Sequence, residues 1–119
     1  MSKRIMIVDD SSIMRKMVRK TLETQGHVIV GEAKDGKEAI ALYPLCSPDI
    51  VTMDITMREM DGFAAAKEIL DHDKKARIIF LSNLNEETYS REARELGGIG
   101  YVNKHNSKEI LTIIADNKI

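Results

Sequence analysis

Three acidic side chains stand where short apolar runs end: Asp9 and Asp10 follow Arg4 to Val8, and Asp54 follows Ile50 to Met53. A hydroxyl, Ser82, ends the run Arg77 to Leu81, and an ammonium, Lys104, ends the run Ile99 to Val102. Carboxylates a few ångströms apart repel, and the repulsion is relieved by protonating one, separating them or holding a divalent cation. An all-oxygen site with few protein ligands suits Mg2+, which prefers octahedral geometry and keeps several waters. A hydroxyl and an ammonium beside a metal-bound carboxylate then form a site for a dianionic phosphoryl group. One such acid or lysine would read as a solvated strand end. An adjacent pair, a third acid at another strand end and a lysine level with them favour chemistry.

These residues meet only if the runs are neighbouring strands. Apolar runs occur at Arg4 to Val8, Val28 to Ala33, Ile50 to Met53, Arg77 to Leu81 and Ile99 to Val102. Most are nearly continuous in apolar character, the pattern of strands buried on both faces. Stretches of helical period follow at Ser12 to Thr24, Gly36 to Leu45, Gly62 to Asp71, Glu86 to Leu96 and Ser107 to Asp116. Turn signals at Asp35-Gly36, Asp61-Gly62 and Gly97-Gly98 support these bounds, and Asn106 with Glu109 resembles a capping box. Five βα units with right-handed crossovers predict an α/β, doubly wound, flavodoxin-like sandwich with a five-stranded parallel sheet of order 2-1-3-4-5. In such sheets ligands bind beyond the carboxyl ends of the strands where the order reverses, a rule drawn in part from sheets of this very order. Here that point lies between the first and third strands, so the three acids converge on it.

Composition narrows the partners. The 119 residues suit one domain, 1–119, with no output domain, so output is expected from another protein. With 18 basic and 19 acidic side chains the formal charge is -1, which offers no bulk attraction to nucleic acid or an anionic bilayer. No apolar run nears the roughly 20 residues of a membrane span, and no cleavable signal pattern precedes the first run, so a cytoplasmic protein is expected; a monomer is expected as well. Cys46 is the single cysteine, which excludes an internal disulfide and reads as a small loop residue beside Ser47-Pro48.

Along its whole length the chain resembles a CheY-type receiver domain of the two-component response regulators. The resemblance rests on Val8-Asp9-Asp10-Ser11, on Val51 to Met57 followed by Met60-Asp61-Gly62, on Leu81-Ser82-Asn83 and on Tyr101-Val102-Asn103-Lys104. Each piece alone is weak, but their order at successive strand ends is specific. The resemblance implies that Asp54 takes a phosphoryl group from a sensor histidine kinase, a phosphotransfer protein or a small phosphodonor. It implies that Asp10, Asp54 and the backbone carbonyl of Thr56 coordinate Mg2+, with Asp9 acting mainly through a metal-bound water. Lys104 and Ser82 would contact phosphoryl oxygens, and Ser82 with Tyr101 would form a switch altering the surface of the fourth and fifth helices toward an output partner. Single-domain members of this kind suggest chemotaxis.

On the first helix, Met14, Met17 and Val18 have the spacing of an apolar stripe, with Met14 a candidate kinase contact, while Arg15, Lys16, Arg19 and Lys20 read mainly as a solvated face. The last helix carries a wide stripe, Ile110, Leu111, Ile113 and Ile114, which leaves Leu111 or a neighbour for an output partner. The sequence departs from the family pattern at Arg58 and His105, where proline is usual, and at Asn83, where a small residue is usual. A non-proline cis bond costs roughly 2.5–4 kcal/mol, so the Lys104–His105 bond is expected to be trans. Thr56 and Leu84 are expected to flank the phosphoryl group, and the apolar Leu84 should slow its hydrolysis. Two rival readings fit the residues less well. A haloacid-dehalogenase-like phosphatase wants an acid two residues after its nucleophile, where this chain has Thr56. A pseudo-receiver binding module would lack an acid or the lysine, and all are present.

Overall fold

The computed structural model describes residues 2–57, 60–83 and 87–116, and of Thr88 the backbone alone. Strands β1 (Arg4–Val8), β2 (Val28–Ala33), β3 (Ile50–Asp54), β4 (Ile78–Ser82) and β5 (Gly100–Asn103) alternate with helices α1 (Ser12–Thr24), α2 (Gly36–Cys46), α3 (Gly62–His72), α4 (Glu87–Glu95) and α5 (Glu109–Asp116). The strands form one sheet in the order β2-β1-β3-β4-β5, every pairing parallel. The doubly wound sandwich is as expected from the apolar runs.

Alternation along the strands feeds two cores. Met6, Val8, Val51, Met53, Ile78 and Phe80 pack with residues of α2, α3 and α4 such as Ala39, Phe63 and Ala93. Ile5, Ile7, Ile50, Ile79 and Leu81 pack on the other side with Val18 and Leu22 of α1 and Ile110 and Ile114 of α5. Each fully buried aliphatic side chain contributes about 1.5–3 kcal/mol. Apart from the buried Thr52 of β3, the central strands are therefore apolar on both faces, and the polar residues at their ends lie at the rim.

Local chemistry sets where the helices start. Ser11, Asp35 and Asp61 accept hydrogen bonds from the backbone N–H groups of Met14, Glu38 and Ala64, capping α1, α2 and α3. The last helix differs from expectation. Lys104–Asn106 form a 3-10 turn capped by the Asn103 side chain, which accepts from the His105 N–H, and α5 starts only at Glu109. Asn106 instead donates its side-chain amide to the Glu109 carboxylate at 3.0 Å. Cys46 also differs: it is the last residue of α2, half-buried, with its thiol donating to the Val30 carbonyl at 3.2 Å. Gly31 leaves it room, since a Cβ there would lie 2.7 Å from the sulfur.

Gly62 fixes the entry to α3. Its N–H donates to the Ile55 carbonyl at 2.8 Å, and a Cβ on it would collide with the Asp54 carbonyl. Gly62→Ala should therefore cost about 1–3 kcal/mol in urea denaturation by forcing backbone to move, although alanine is the better helix former by up to about 1 kcal/mol. An unchanged or raised stability would mean that the β3–α3 connection yields freely.

Candidate functional site

The strand order places the ends of β1 and β3 side by side, with Val8 level with Met53, so Asp9 and Asp54 emerge together. Carboxylate oxygens of Asp9, Asp10 and Asp54 all lie within 4.8 Å of one another. Asp9 and Asp54 are buried, whereas Asp10 is exposed at the mouth. Lys104, only 7% exposed, sends its ammonium into this cluster, 2.9 Å from Asp9 Oδ2 and 3.2 Å from Asp54 Oδ1. It does so from the first position of the 3-10 turn, one residue beyond β5.

The remaining polar groups are unevenly shared. Asp9 Oδ1 accepts from the Ser11 N–H at 2.9 Å, and Asp54 Oδ1 accepts from the Thr56 N–H at 3.2 Å. Asp54 Oδ2 is buried with no hydrogen-bond partner among the described residues. A buried carboxylate oxygen left unpaired is expensive, and such an atom in a native site calls for a missing ligand. Burial, with the Asp9 charge behind it, pushes the Asp54 carboxyl up to about 6, against the opposing pull of Lys104 and the Thr56 N–H. Burial acts to lower the Lys104 value, but its bonds and charge contacts with Asp9 and Asp54 outweigh that and raise it. One ammonium is shared between two buried acids, and Asp54 is the one left under-compensated.

The donor set fits Mg2+. It consists of oxygens, it carries surplus negative charge, and it contains a buried oxygen with no partner among the described residues. Thr56 follows the site on the exposed side, with its hydroxyl 3.5 Å from Asp54 Oδ1. Ser82 is fully buried at the end of β4, one residue past Leu81, which pairs with Asp54. Tyr101 sits half-buried on β5 beside Phe80, packed at the edge of the core that contains α3 and α4.

The chain matches the response regulator receiver domain family over residues 5–115. The protein belongs to that family. Over 104 residues, 87% of either chain, this receiver is 42% identical to the chemotaxis protein CheY of Thermotoga maritima. It is 43% identical to that of Bacillus subtilis with the same coverage. Among solved structures, a LuxR-family two-component response regulator from an Aurantimonas species superposes with a TM-score of 0.92 at 36% identity, covering 98% of this chain and 84% of that one. The CheX-CheY-BeF3-Mg2+ complex of Borrelia burgdorferi superposes with a TM-score of 0.90 at 32% identity, covering 95% and 87%. Receivers are phosphoacceptor switches with an acidic pocket, and the pocket here is the cluster of Asp9, Asp10 and Asp54.

The finer expectations meet the structure in different ways. Met14 is half-buried against the core beneath α1, while Ile13 and Met17 are the exposed apolar residues there, at 71% and 49%. Leu111 and Ile113 are half-buried on α5, with Ile113 closing over Gly100. His105 is exposed, and the described backbone has no cis peptide, so the Lys104–His105 bond is trans as expected. Arg58 and Leu84 lie outside the described residues. No helix among the described residues is long and apolar enough to cross a membrane.

Sequence reasoning missed Arg15. Read as part of a solvated face, its side chain is only 19% exposed and donates to the backbone carbonyl of Asp9 at 2.6 Å. The available signal was Glu32, a lone acid in the otherwise apolar run Val28 to Ala33, which needs a cationic partner when half-buried.

Proposed function

We propose that the protein is a phosphorylation switch in which Asp54 accepts a phosphoryl group in the presence of Mg2+. The observation that carries this reading is the buried, unpartnered Asp54 Oδ2 beside two further carboxylates and the Lys104 ammonium. An oxygen of ionised Asp54 attacks phosphorus of a phosphohistidine on a sensor kinase or phosphotransfer protein, or of a small acyl phosphate. The new O–P bond forms as the P–N or P–O bond to the donor breaks, and the leaving group departs with its electron pair.

Asp10, Asp54 and the Thr56 backbone carbonyl would hold the metal, with Asp9 behind them. When bound, Mg2+ neutralises phosphoryl oxygens and offsets the repulsion among the acids. Lys104, already poised between Asp9 and Asp54, turns to a phosphoryl oxygen, and Ser82 donates a hydrogen bond to another. The chain thus promotes its own phosphorylation and dephosphorylation and turns over no separate substrate. Ser82 and Tyr101 bias two arrangements of the α4–β5–α5 side, changing affinity for an output protein.

The match to 87% of the length of two CheY proteins supports a receiver that signals through a separate protein in the cytoplasm. The same two relatives, and the CheX partner of the Borrelia protein, support a chemotaxis pathway. Nothing in the charge balance recommends nucleic acid or membrane as the partner.

Incubation with a small acyl phosphate and Mg2+ should add one phosphoryl group by intact mass. The gain should vanish with chelator and in Asp54→Asn. Labelling of Asp54→Asn at the wild-type level would overturn the assignment.

A further inference from the structure

We infer that Arg15 is a positioning residue for the metal site, holding the Asp9–Asp10 peptide so that the Asp10 carboxylate faces the other two acids. This rests on the reading of the acidic cluster as a Mg2+ site. Arg15 lies on α1, and one nitrogen of its guanidinium donates to the Asp9 carbonyl at 2.6 Å while Nε donates to Glu32 Oε1 on β2 at 3.0 Å. Glu32 is in turn fixed by Arg19, whose Nε reaches Glu32 Oε2 at 2.9 Å. Burial pushes the Glu32 carboxyl up, but the bonds and charges of Arg19 and Arg15 outweigh it and hold it below its ordinary value, so the clamp stays ionised at neutral pH.

The Asp9 carbonyl is one face of the peptide plane whose other end is the Asp10 nitrogen. The same residue is fixed at its N–H, which donates to the Ala33 carbonyl at 3.0 Å, and at its carboxylate by Ser11 and Lys104. Asp10 makes no such contact among the described residues and is exposed, so the placement of its Cα, and with it the reach of its carboxylate, depends on the plane that precedes it. Groups that orient metal ligands through a second layer of hydrogen bonds commonly change metal affinity by 10- to 100-fold when removed.

Charge and geometry predict opposite signs, which makes the inference testable. Arg15 is a cation one peptide away from a site for a dication, so its removal would tighten Mg2+ if charge alone mattered. Loss of positioning weakens it. Calorimetric titration with MgCl2 should give a dissociation constant about tenfold higher for Arg15→Met than for the wild type, with Arg15→Lys between them because a lysine can still donate to the Asp9 carbonyl. In metal-free protein, hydrogen exchange at the Ser11 amide should quicken about tenfold in Arg15→Met while the Leu22 and Met53 amides stay unchanged. A wild type that fails to bind Mg2+ would sink the metal reading, and the exchange data would still decide whether Arg15 holds this turn. Equal or tighter Mg2+ binding by folded Arg15→Met, or unchanged Ser11 exchange, would overturn the inference. Should Arg15→Met fail to fold, the same two measurements on Arg15→Lys decide it, with unchanged values counting against.

Discussion

Metal-free protein carrying Lys104→Met is expected to lose about 3 kcal/mol of stability at pH 8, and much less at pH 5. Removing one member of a buried charge cluster leaves the others uncompensated, which typically costs about 3–5 kcal/mol. Lys104 serves two buried acids at once, so its removal leaves both Asp9 and Asp54 out of water without their shared cation. At pH 5 the penalty has an outlet. Asp54, whose carboxyl burial already pushes up to about 6, takes a proton, and its share of the uncompensated charge is removed. Urea denaturation at the two pH values reads the difference directly. An equal loss at both would show that the carboxylates are better solvated than their burial implies.

Asp54→Asn is expected to act in the opposite direction, raising the stability of the metal-free protein at pH 7.5 by roughly 2–3 kcal/mol. The sign follows from the direction of the shift. The folded state binds a proton at Asp54 more tightly than the unfolded chain, so the stabilising contribution is full below about 3.8 and is lost as pH rises through about 6. Each pH unit of that window is worth about 1.4 kcal/mol. Asparagine lacks this titration, so wild type and variant should converge near pH 4 and separate above pH 6. Other acids titrate in the same range, and the difference between the two proteins isolates position 54. A wild type that is the more stable at pH 7.5 would mean that the Lys104 contact outweighs desolvation. The strain this prediction measures is what Mg2+ and the phosphoryl group would relieve, in keeping with sites that hold function at a cost in stability.

Much of this arrangement was legible in the sequence because parallel strands covered on both faces leave long apolar runs. Ile50 to Met53 and Ile78 to Leu81 admit few other readings, and the polar residue that ends each run marks the rim. What the runs could not convey was depth and partnership. Lys104 in sequence is a lysine after a strand; its burial follows from the 3-10 turn that Asn103 caps, a local hydrogen bond with no periodic signature. On α1 the 3.6-residue period allows more than one apolar face, and the face chosen by packing is that of Met14, Val18 and Leu22, which leaves Met17 outside. Arg15 looked like its neighbour Lys16 because both are basic and adjacent. Only the register that sets Ile7 beside Glu32 distinguishes them.

The switch turns on one group, the Asp54 carboxylate, and the direct measurement is to trap its phosphorylated form. Borohydride reduces an aspartyl phosphate to homoserine, so protein treated with a small acyl phosphate and Mg2+, then with borohydride, can be digested and its peptides weighed. Homoserine is expected at position 54 alone, and absent when Mg2+ is chelated. Homoserine at position 9 or 10, or none at position 54 after treatment with donor and Mg2+, would contradict the Asp54 assignment.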